Sequence, residues 1–488
     1  MLNWIWLGMI CAGILVAALL GRLGGADGIV EQTFNLVRTG VMGIALPLSA
    51  LMMLWLGIMR LAEKSGCVEV LARFLRPLLR RLFPEVPRDH PAMGAMVMNM
   101  AANMLGLGNA ATPLGLKAMQ HLDDLNPHKG VASNSMCTFL AINTSSVTLI
   151  PATAIALLAA QGVANPYSIV STAIGATLCS TVVAIVAVKF FERLPMFRVR
   201  PFEASGPGGV ADGEGEEGDQ GARSERSGQE VGATGNDLNE AGGVRLRRIG
   251  VRGRLVVLAI FVVFAGVLVL EWSPDVRGVV QGALGLEEVI ERLEEPPAAL
   301  AGVEVDGGGF WMRGVQAISV VAIPFVLFFF TAFAALRGVR VYEEFVEGAK
   351  EGFQVAVRIM PFLIAMLTAL AIVRHSGMLF LLQSWLSPVL DLLRFPAELL
   401  PMALMRPLSG SGSQGVLVEL LTNPGIADSI KYTAATMFGS TETTFYVLAV
   451  YFGSVGIRRT RHALAAGLCA DVAGVFAAVA ICRVVFGA

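Results

Sequence analysis

Residues 435–453 read ATMFGSTETTFYVLAVYFG, an apolar stretch of membrane-helix length that is interrupted by the polar run 440–444. A helix needs about 20 apolar residues to cross a bilayer. Polar and irregular backbone at that depth is tolerated only where it is buried in protein or lines a cavity. The stretch therefore predicts a broken or re-entrant membrane helix.

The composition of the whole chain agrees with this prediction. Of 488 residues, 55% are hydrophobic and 15% are charged, whereas soluble domains carry about 25% charged residues. Uniform apolar runs of span length cover residues 3–21, 41–59, 166–190, 254–270, 315–336, 353–373 and 463–482, and interrupted ones cover 92–118, 136–160, 398–421 and 432–453. We expect an all-α polytopic protein of the cell inner membrane whose first span is retained, with two repeats that contain broken or re-entrant helices.

Residues 200–250 differ from the rest because they contain few large apolar side chains. Such a segment buries too little surface to offset the entropy of ordering it. The sequence thus predicts a disordered cytoplasmic linker over 196–250, between domains at 1–195 and 313–488. Residues 251–312 would supply an extra transmembrane span and an external loop.

The two domains share an internal repeat. Ser65-Gly66 and Ser376-Gly377 are each followed by a proline eleven residues after the glycine, at Pro77 and Pro388. Further along, GLGNAATPLG (106–115) parallels GSGSQGVLVE (410–419), and FLAINTSSVTL (139–149) parallels FGSTETTFYVL (438–448).

Flanking charge suggests how the repeats are oriented. Basic residues on both sides of the linker predict that it is cytoplasmic, and the Glu-rich segment 271–312 would lie outside. If Arg22 and Arg337 are both cytoplasmic, the extra span at 254–270 carries the chain back to the outside. The second repeat then starts on the same side of the membrane as the first, and the two repeats are parallel. The basic residues within 60–90 do not fit that alternation, unless a neighbouring segment is re-entrant or interfacial.

Polar residues within the apolar runs of the first half are candidates for a binding site. Asn99 and Asn103 are four residues apart and share a helix face, and two glycines and a proline within 106–113 interrupt the helix that follows. The run 143–146 (NTSS) predicts another break. Transporters bind solutes at such breaks, although the same residues also serve as hydrogen bonds between membrane helices.

The second half adds charges. Arg406 precedes a Ser/Gly run, and Glu442 lies within the polar run 440–444. Because charges in a membrane are costly and need partners, we expect Arg406 to pair with Glu442, for function or as a structural ion pair. Glu419 and Asp471 are further charges in apolar sequence. The candidate substrate-binding residues are Asn99, Asn103, Asn109, Asn143, Thr144, Ser145, Arg406, Ser409, Ser411, Ser413, Gln414, Ser440, Thr441, Glu442 and Thr443.

Other chemistries find little support in the sequence. Gly410, Gly412 and Gly415 match GxGxxG, but the dinucleotide motif needs a preceding β-strand, and this one follows an apolar membrane segment. We read the six cysteines as buried side chains rather than disulfides or metal ligands. We expect no catalytic residues, no metal site and no cofactor. The net charge of −1 gives no reason to expect nucleic acid as a partner.

Several long motifs resemble known families. LFPEVPRDHPAMGAMVMNMAANMLGLGNAATPLGLKAM and ASNSMCTFLAINTSSVTLIPATAIAL resemble the spore maturation protein A family. VYEEFVEGAKEGF, MRPLSGSGSQGV and GSTETTFYVLAVYFGSVGIRRTRHALAAGLCADVAGV resemble the spore maturation protein B family. The chain thus looks like a fusion of the two, covering about 1–195 and 310–488. Both families contain the nucleoside recognition (Gate) domain, which implies a gated solute pathway.

Two functions remain open at this stage. The first is a transporter or channel for a small polar solute, nucleoside-like or an ion, in which the polar breaks of both halves meet. The second is a membrane scaffold that conducts nothing and uses the same polar residues to hold helices together. The expected partners are the lipid bilayer and a small-molecule solute, and a homo-oligomer is also compatible with the sequence.

Overall fold

The structure is a computed structural model that describes residues 2–24, 28–39, 46–87, 89–106, 108–197, 250–284 and 310–487. The predicted linker falls almost entirely within 198–249, and most of the predicted external loop falls within 285–309, so both predictions lie outside the described residues. The side chain of Asn109 also lies outside them.

The described residues form 19 α-helices and no β-strand. In the first half these are α1 (Leu2–Leu19), α2 (Ile29–Thr39), α3 (Leu46–Lys64), α4 (Cys67–Leu82), α5 (Pro91–Met104), α6 (Gly108–Asp124), α7 (Asn134–Thr144), α8 (Ala152–Ala160) and α9 (Ile169–Phe191). They continue with α10 (Val251–Trp272), α11 (Pro274–Ala283), α12 (Phe310–Leu336), α13 (Val341–His375), α14 (Met378–Leu392), α15 (Leu400–Met405), α16 (Gly410–Thr422), α17 (Asp428–Ser440), α18 (Thr444–Ser454) and α19 (Ala463–Phe486).

Five of these helices are long and apolar enough to cross a membrane, and a sixth span exists if the end of α13 and α14, bent by 72°, count as one. The all-α membrane fold with broken helices is confirmed, and the chain is a multi-pass membrane protein. The extra span α10 is peripheral: Phe261 and Phe264 pack against the aromatic side chains of α12, and most of its other side chains face outward.

The repeat read from the sequence is present in the structure. Gly66 and Gly377 precede α4 and α14, with φ of 80° and 88° respectively. Only glycine adopts this left-handed conformation at little cost, which explains why the same residue begins both turns. Pro77 and Pro388 then lie inside the two helices.

Equivalent helices of the two halves run in opposite directions. Along α9, Gly175 lies against Ile481, whereas the later residue Ser180 donates a hydrogen bond to the earlier carbonyl of Ala470 at 2.9 Å. Contacts along α9 therefore ascend as those along α19 descend, and the two helices are antiparallel.

Helices α3 and α13 show the same relation. A Cβ added to Gly352 would lie 2.6 Å from the carbonyl oxygen of Met52, and one added to Gly348 would lie 2.5 Å from that of Leu56. The prediction of parallel repeats is therefore wrong, because the two halves are inverted with respect to each other.

The inversion gives the molecule two distinct ends. The Arg461 Nε donates to the carbonyl of Phe197 at 2.8 Å, so the end of α9 meets the start of α19. At the other end the ring of Tyr432 stacks on Phe486 with centroids 4.7 Å apart, and its hydroxyl donates to the carbonyl of Ala164, just before α9. We call these ends the linker face and the distal face.

The start of α7 and the end of the 60–90 segment lie on the linker face. Arg461 donates to the Asn134 side chain at 2.8 Å, and Asn134 in turn donates to Glu85 at 3.2 Å. The start of α4 is on the same face. Helix α12 runs alongside α9, beginning at the contact of Ser319 with Ser171 (2.8 Å). At the end of α12, Arg337 donates to the carbonyl of Ser65, just before α4, at 3.0 Å.

This arrangement explains the basic segment that did not fit simple alternation. Segment 60–90 and Arg337 share the linker face, whereas Arg22 donates to the carbonyl of His375 at 3.5 Å, next to α14. Arg483 of α19 donates to the carbonyl of Arg394 at 2.7 Å, which places the end of α14 on the distal face. Arg22 and Arg337 therefore lie on opposite faces, and the prediction that they share one is wrong.

The close contact of α3 with α13 yields a first prediction. Gly352→Leu should lower the apparent melting temperature of the purified protein by several degrees, because overpacking a tight contact costs about 1–3 kcal/mol. Gly266→Leu on α10 is the matched control, since nothing lies within 4 Å of a Cβ added there. Intrinsic-fluorescence melting in detergent measures both, and equal melting temperatures would contradict the contact.

The inversion itself is tested by labelling from opposite sides of the membrane. Arg80 and Asp391 occupy equivalent positions of α4 and α14, and both are exposed. In a variant without the native cysteines, Arg80→Cys should react with an impermeant maleimide from the same side as Met196→Cys, which is on the linker face. Asp391→Cys should react only from the other side. Labelling of both positions from one side would support parallel repeats instead.

Candidate functional site

Four helix interruptions converge in the middle of the protein. They include 105–106, 145–151, 406–409 and 441–443, which lie between α5 and α6, α7 and α8, α15 and α16, and α17 and α18. The first two are tied together by the amide of Leu149, which donates to the carbonyl of Met104 at 2.9 Å. The last two are tied equivalently, since the amide of Phe445 donates to the carbonyl of Pro407 at 3.2 Å.

One backbone hydrogen bond joins the breaks of the two halves. The amide of Glu442 donates to the carbonyl of Thr144 at 2.7 Å. A carbonyl at the end of α7 has lost its helical partner and needs a donor. The break in the second half supplies that donor, so the two interruptions satisfy each other.

A cavity of about 300 Å³ lies at this junction. Its polar lining comes from both halves: Asn103, Thr148 and Thr153 from the first, and Arg406, Gln414, Thr441 and Glu442 from the second. The remaining lining is Gly106, Ile150, Pro151, Ala152, Ala154, Gly410, Phe438 and Gly439. Five of the predicted site residues therefore line one cavity: Asn103, Arg406, Gln414, Thr441 and Glu442.

Arg406 is the buried cation of this cavity, with only 5% of its surface exposed. Its guanidinium carbon lies 4.9 Å from the ring centroid of Phe438, a cation–π geometry. Its single side-chain hydrogen bond in the described structure is a long one, from Nη1 to the Thr443 hydroxyl at 3.4 Å, and the buried Nε has no partner there. Arg406 is thus held in place but incompletely satisfied.

The expected ion pair of Arg406 with Glu442 is not formed. Both side chains line the cavity, but no ion pair within 4.0 Å joins them among the described residues. Glu442 is exposed in the cavity. Two opposite charges are therefore held in one space without direct contact.

The other two intramembrane acids have partners of their own. Glu419 of α16 forms an ion pair with Arg374 of α13. Asp471 of α19 is 1% exposed and accepts a hydrogen bond from the Thr444 hydroxyl at 2.6 Å. Neither acid lines the cavity.

Most of the other predicted site residues form hydrogen bonds within the protein. The hydroxyls of Thr144, Ser145 and Ser413 donate to carbonyls four residues back, at 3.1, 2.9 and 2.7 Å. Ser440 donates to Met437 at 2.8 Å. These hydroxyls are satisfied within their own helices, a contact that tends to bend a helix, and their donors are not directed at a solute.

The remaining predicted residues support the geometry of the breaks. Ser409 caps α16 by accepting from the amide of Gly412 at 3.0 Å, and its hydroxyl lies 3.3 Å from that of Ser411. Asn143 accepts from Asn103 at 2.9 Å, which links α7 to α5. Asn99 is fully buried and donates to the carbonyl of Ala111 at 2.7 Å, tying α5 to α6 across their break.

Several residues of the lining were not predicted from the sequence. Thr148 lies within the quoted stretch 139–149 but beyond the consecutive polar run, so it drew no attention. Phe438 looked like an ordinary apolar residue of the second repeat. The segment 152–154 is the first turn of α8 and lies within an apolar run, and no compositional signal marks it as lining.

Comparison with known proteins agrees with this architecture. The profile of the Gate family, described as nucleoside recognition, matches residues 45–192 and 356–458. The chain belongs to the Gate family. The two Gate segments correspond to α3–α9 and to most of α13 through α18, so each contains two of the four interruptions.

Two curated relatives match different halves of the chain. Spore maturation protein A of Bacillus subtilis (strain 168) is 42% identical over 191 residues, which is 39% of this chain and 95% of that protein. Spore maturation protein B of the same organism is 40% identical over 176 residues, which is 36% of this chain and 99% of that protein. No solved structure matches the chain. The resemblance to both families is confirmed.

Asn99 and Asn103 provide a test that separates structural from cavity-lining residues of this Gate protein. Asn99→Ala leaves the buried carbonyl of Ala111 without its donor, which should destabilise the fold by about 1–3 kcal/mol. Asn103→Ala also removes a donor, to the side chain of Asn143, but Asn103 is half-buried and lines the cavity, so we expect a smaller effect. Melting temperatures of the two purified variants measure this, and a larger loss for Asn103→Ala would contradict the assignment.

Proposed function

We propose that this Gate protein is a transporter or channel in which a small polar solute passes through the cavity between its two halves. The supporting observation is that both halves contribute the broken ends of helices, and polar side chains, to one cavity of about 300 Å³. Broken helices near the centre of inverted repeats are where secondary transporters bind their solutes. Nucleoside-like molecules and ions both remain within this proposal, in which the chain carries no catalytic step and needs no cofactor.

The distribution of charge supports an orientation for the proposed pathway. Exposed basic side chains cluster on the linker face, namely Arg73, Arg76, Arg80, Arg81, Arg193, Arg458 and Arg459. Cytoplasmic loops carry an excess of Lys and Arg. We therefore infer that the linker face is cytoplasmic and that the protein resides in the cell inner membrane, with Glu442 and Arg406 between the two aqueous sides.

The non-conducting scaffold is the rival function, and it has specific support. Asn99 ties α5 to α6, as expected of a residue that only holds helices together, and the hydroxyls of Thr144 and Ser145 are satisfied by their own helix. A scaffold does not explain the cavity, the unpaired Nε of Arg406 or the exposed carboxylate of Glu442.

Glu442→Gln distinguishes the two functions. The substitution keeps the size of the side chain and the backbone bond to Thr144, so the protein should express and fold normally while flux is lost. The measurement is uptake of a radiolabelled solute panel (nucleosides, amino acids and monovalent cations) into proteoliposomes. Glu347→Gln is the matched control, because Glu347 is a solvent-exposed acid that pairs with Lys350. Absence of flux for every solute with the unaltered protein would favour the scaffold.

A further inference from the structure

The charges that line the cavity point to the kind of solute it binds. Only 5% of the surface of Arg406 is exposed, whereas Glu442 is exposed to the same cavity. Charged side chains in a membrane protein usually pair with each other. Here the framework holds them apart, which leaves each charge available to a bound molecule.

The backbone around the cavity reinforces one positive region. Residues 152–154 are the first turn of α8, and Gly410 is the first residue of α16. Amide groups at helix starts are unpaired and carry partial positive charge. Helix α8 has no side-chain cap, and in its first turn the amide of Ala152 donates to the carbonyl of Ile150 at 2.8 Å. The amides of Thr153 and Ala154 are therefore the groups of α8 that contribute here, and at α16 those of Gly410 and Ser411 do, because Ser409 caps Gly412. Together with the unpartnered Nε of Arg406, they form a site for a carboxylate or another small anionic group.

The opposite polarity is present in the same space. Asn103 and Gly106 lie at the end of α5, and Phe438 and Gly439 lie at the end of α17. Carbonyl groups at helix ends carry partial negative charge and favour cations. The carbonyls of Asn103 and Met104 already accept from the amides of Gly106 and Leu149, so the carboxylate of Glu442 is the main group of this negative region, which suits an ammonium group.

A ligand with a single charge would satisfy only part of this lining. An anion would leave Glu442 facing a like charge, and an uncharged nucleoside would leave both charged side chains without a counterion. A molecule with both charges pairs with both, and a cavity of about 300 Å³ suits one of amino-acid size.

We propose that the cavity binds a small zwitterion, with its carboxylate at Arg406 and the start of α8, and its ammonium group at Glu442. This inference rests on the proposed solute pathway and specifies its substrate class. Arg406 and Glu442 are then binding residues of opposite preference, and each recognises one end of the same molecule.

The test uses a matched chemical series on the unaltered protein. Purified protein in lipid nanodiscs is titrated with the small neutral amino acids, and the best one is compared with its N-acetyl derivative, which keeps only the negative charge, and with its amide, which keeps only the positive charge. The amino acid should bind at least about tenfold more tightly than either derivative, as expected for loss of one charge-assisted hydrogen bond. Uridine and inorganic phosphate are included as uncharged and purely anionic probes.

Two variants assign the ends. Arg406→Gln should bind the amino acid and its amide with similar affinity, because the carboxylate no longer contributes. Glu442→Gln should bind the amino acid and its N-acetyl derivative with similar affinity. Arg254→Gln and Glu347→Gln change exposed charges away from the cavity and should retain the full preference. If Arg406→Gln fails to fold, the chemical series on the unaltered protein still decides the proposal.

The outcomes separate this inference from the function it rests on. Binding of uridine or phosphate without binding of any amino acid overturns the zwitterion and leaves the solute pathway standing. Equal binding of the amino acid and one of its singly charged derivatives also overturns it. Failure of every probe to bind, together with absence of flux in proteoliposomes, overturns both.

Discussion

The fold depends on satisfying backbone groups where four helices are interrupted inside an apolar protein. Leu149 to Met104 and Phe445 to Pro407 close the breaks within each half, and the amide of Glu442 joins the halves through Thr144. Unpaired backbone groups cost several kcal/mol in a hydrocarbon environment. The interruptions are therefore stable only when they hydrogen-bond to one another, and this requirement places them together at the interface of the two halves.

Helix α19 can approach these breaks because its contact residues are small. A Cβ at Gly467 would lie 2.8 Å from the side chain of Thr444, and one at Gly474 would lie 2.7 Å from that of Thr441. Asp471 sits between these glycines, 27 residues after its partner Thr444. Segment 441–444 is therefore packed closely against α19, while Thr441 and Glu442 also line the cavity.

Much of this was predictable from the sequence, for identifiable reasons. Polar residues within apolar sequence predict each break, and the glycine–proline spacing after Gly66 and Gly377 indicates the repeat. The relative orientation of the halves was not predictable in the same way, because counting charges requires knowing which segments cross the membrane, and Arg22 and Arg337 lie on opposite faces. Nor does a list of polar residues separate Asn99, which ties two helices together, from Asn103, which also faces the cavity; that difference depends on packing between distant segments.

The two halves share a scaffold but differ in charge. Leu178 to Thr181 and Leu468 to Asp471 are equivalent in sequence (LCST and LCAD), and the hydroxyl of Thr181 bonds to the carbonyl of Ser145, where Asp471 bonds to Thr444. The first half thus presents neutral groups at its breaks, whereas Arg406, Glu442 and Asp471 all belong to the second. An inverted pair of identical halves would present the same chemistry to both membrane faces. Because the charges come from one half only, the cavity has a charged side from the second half and a neutral side from the first, so the inverted symmetry of the scaffold does not extend to its electrostatics.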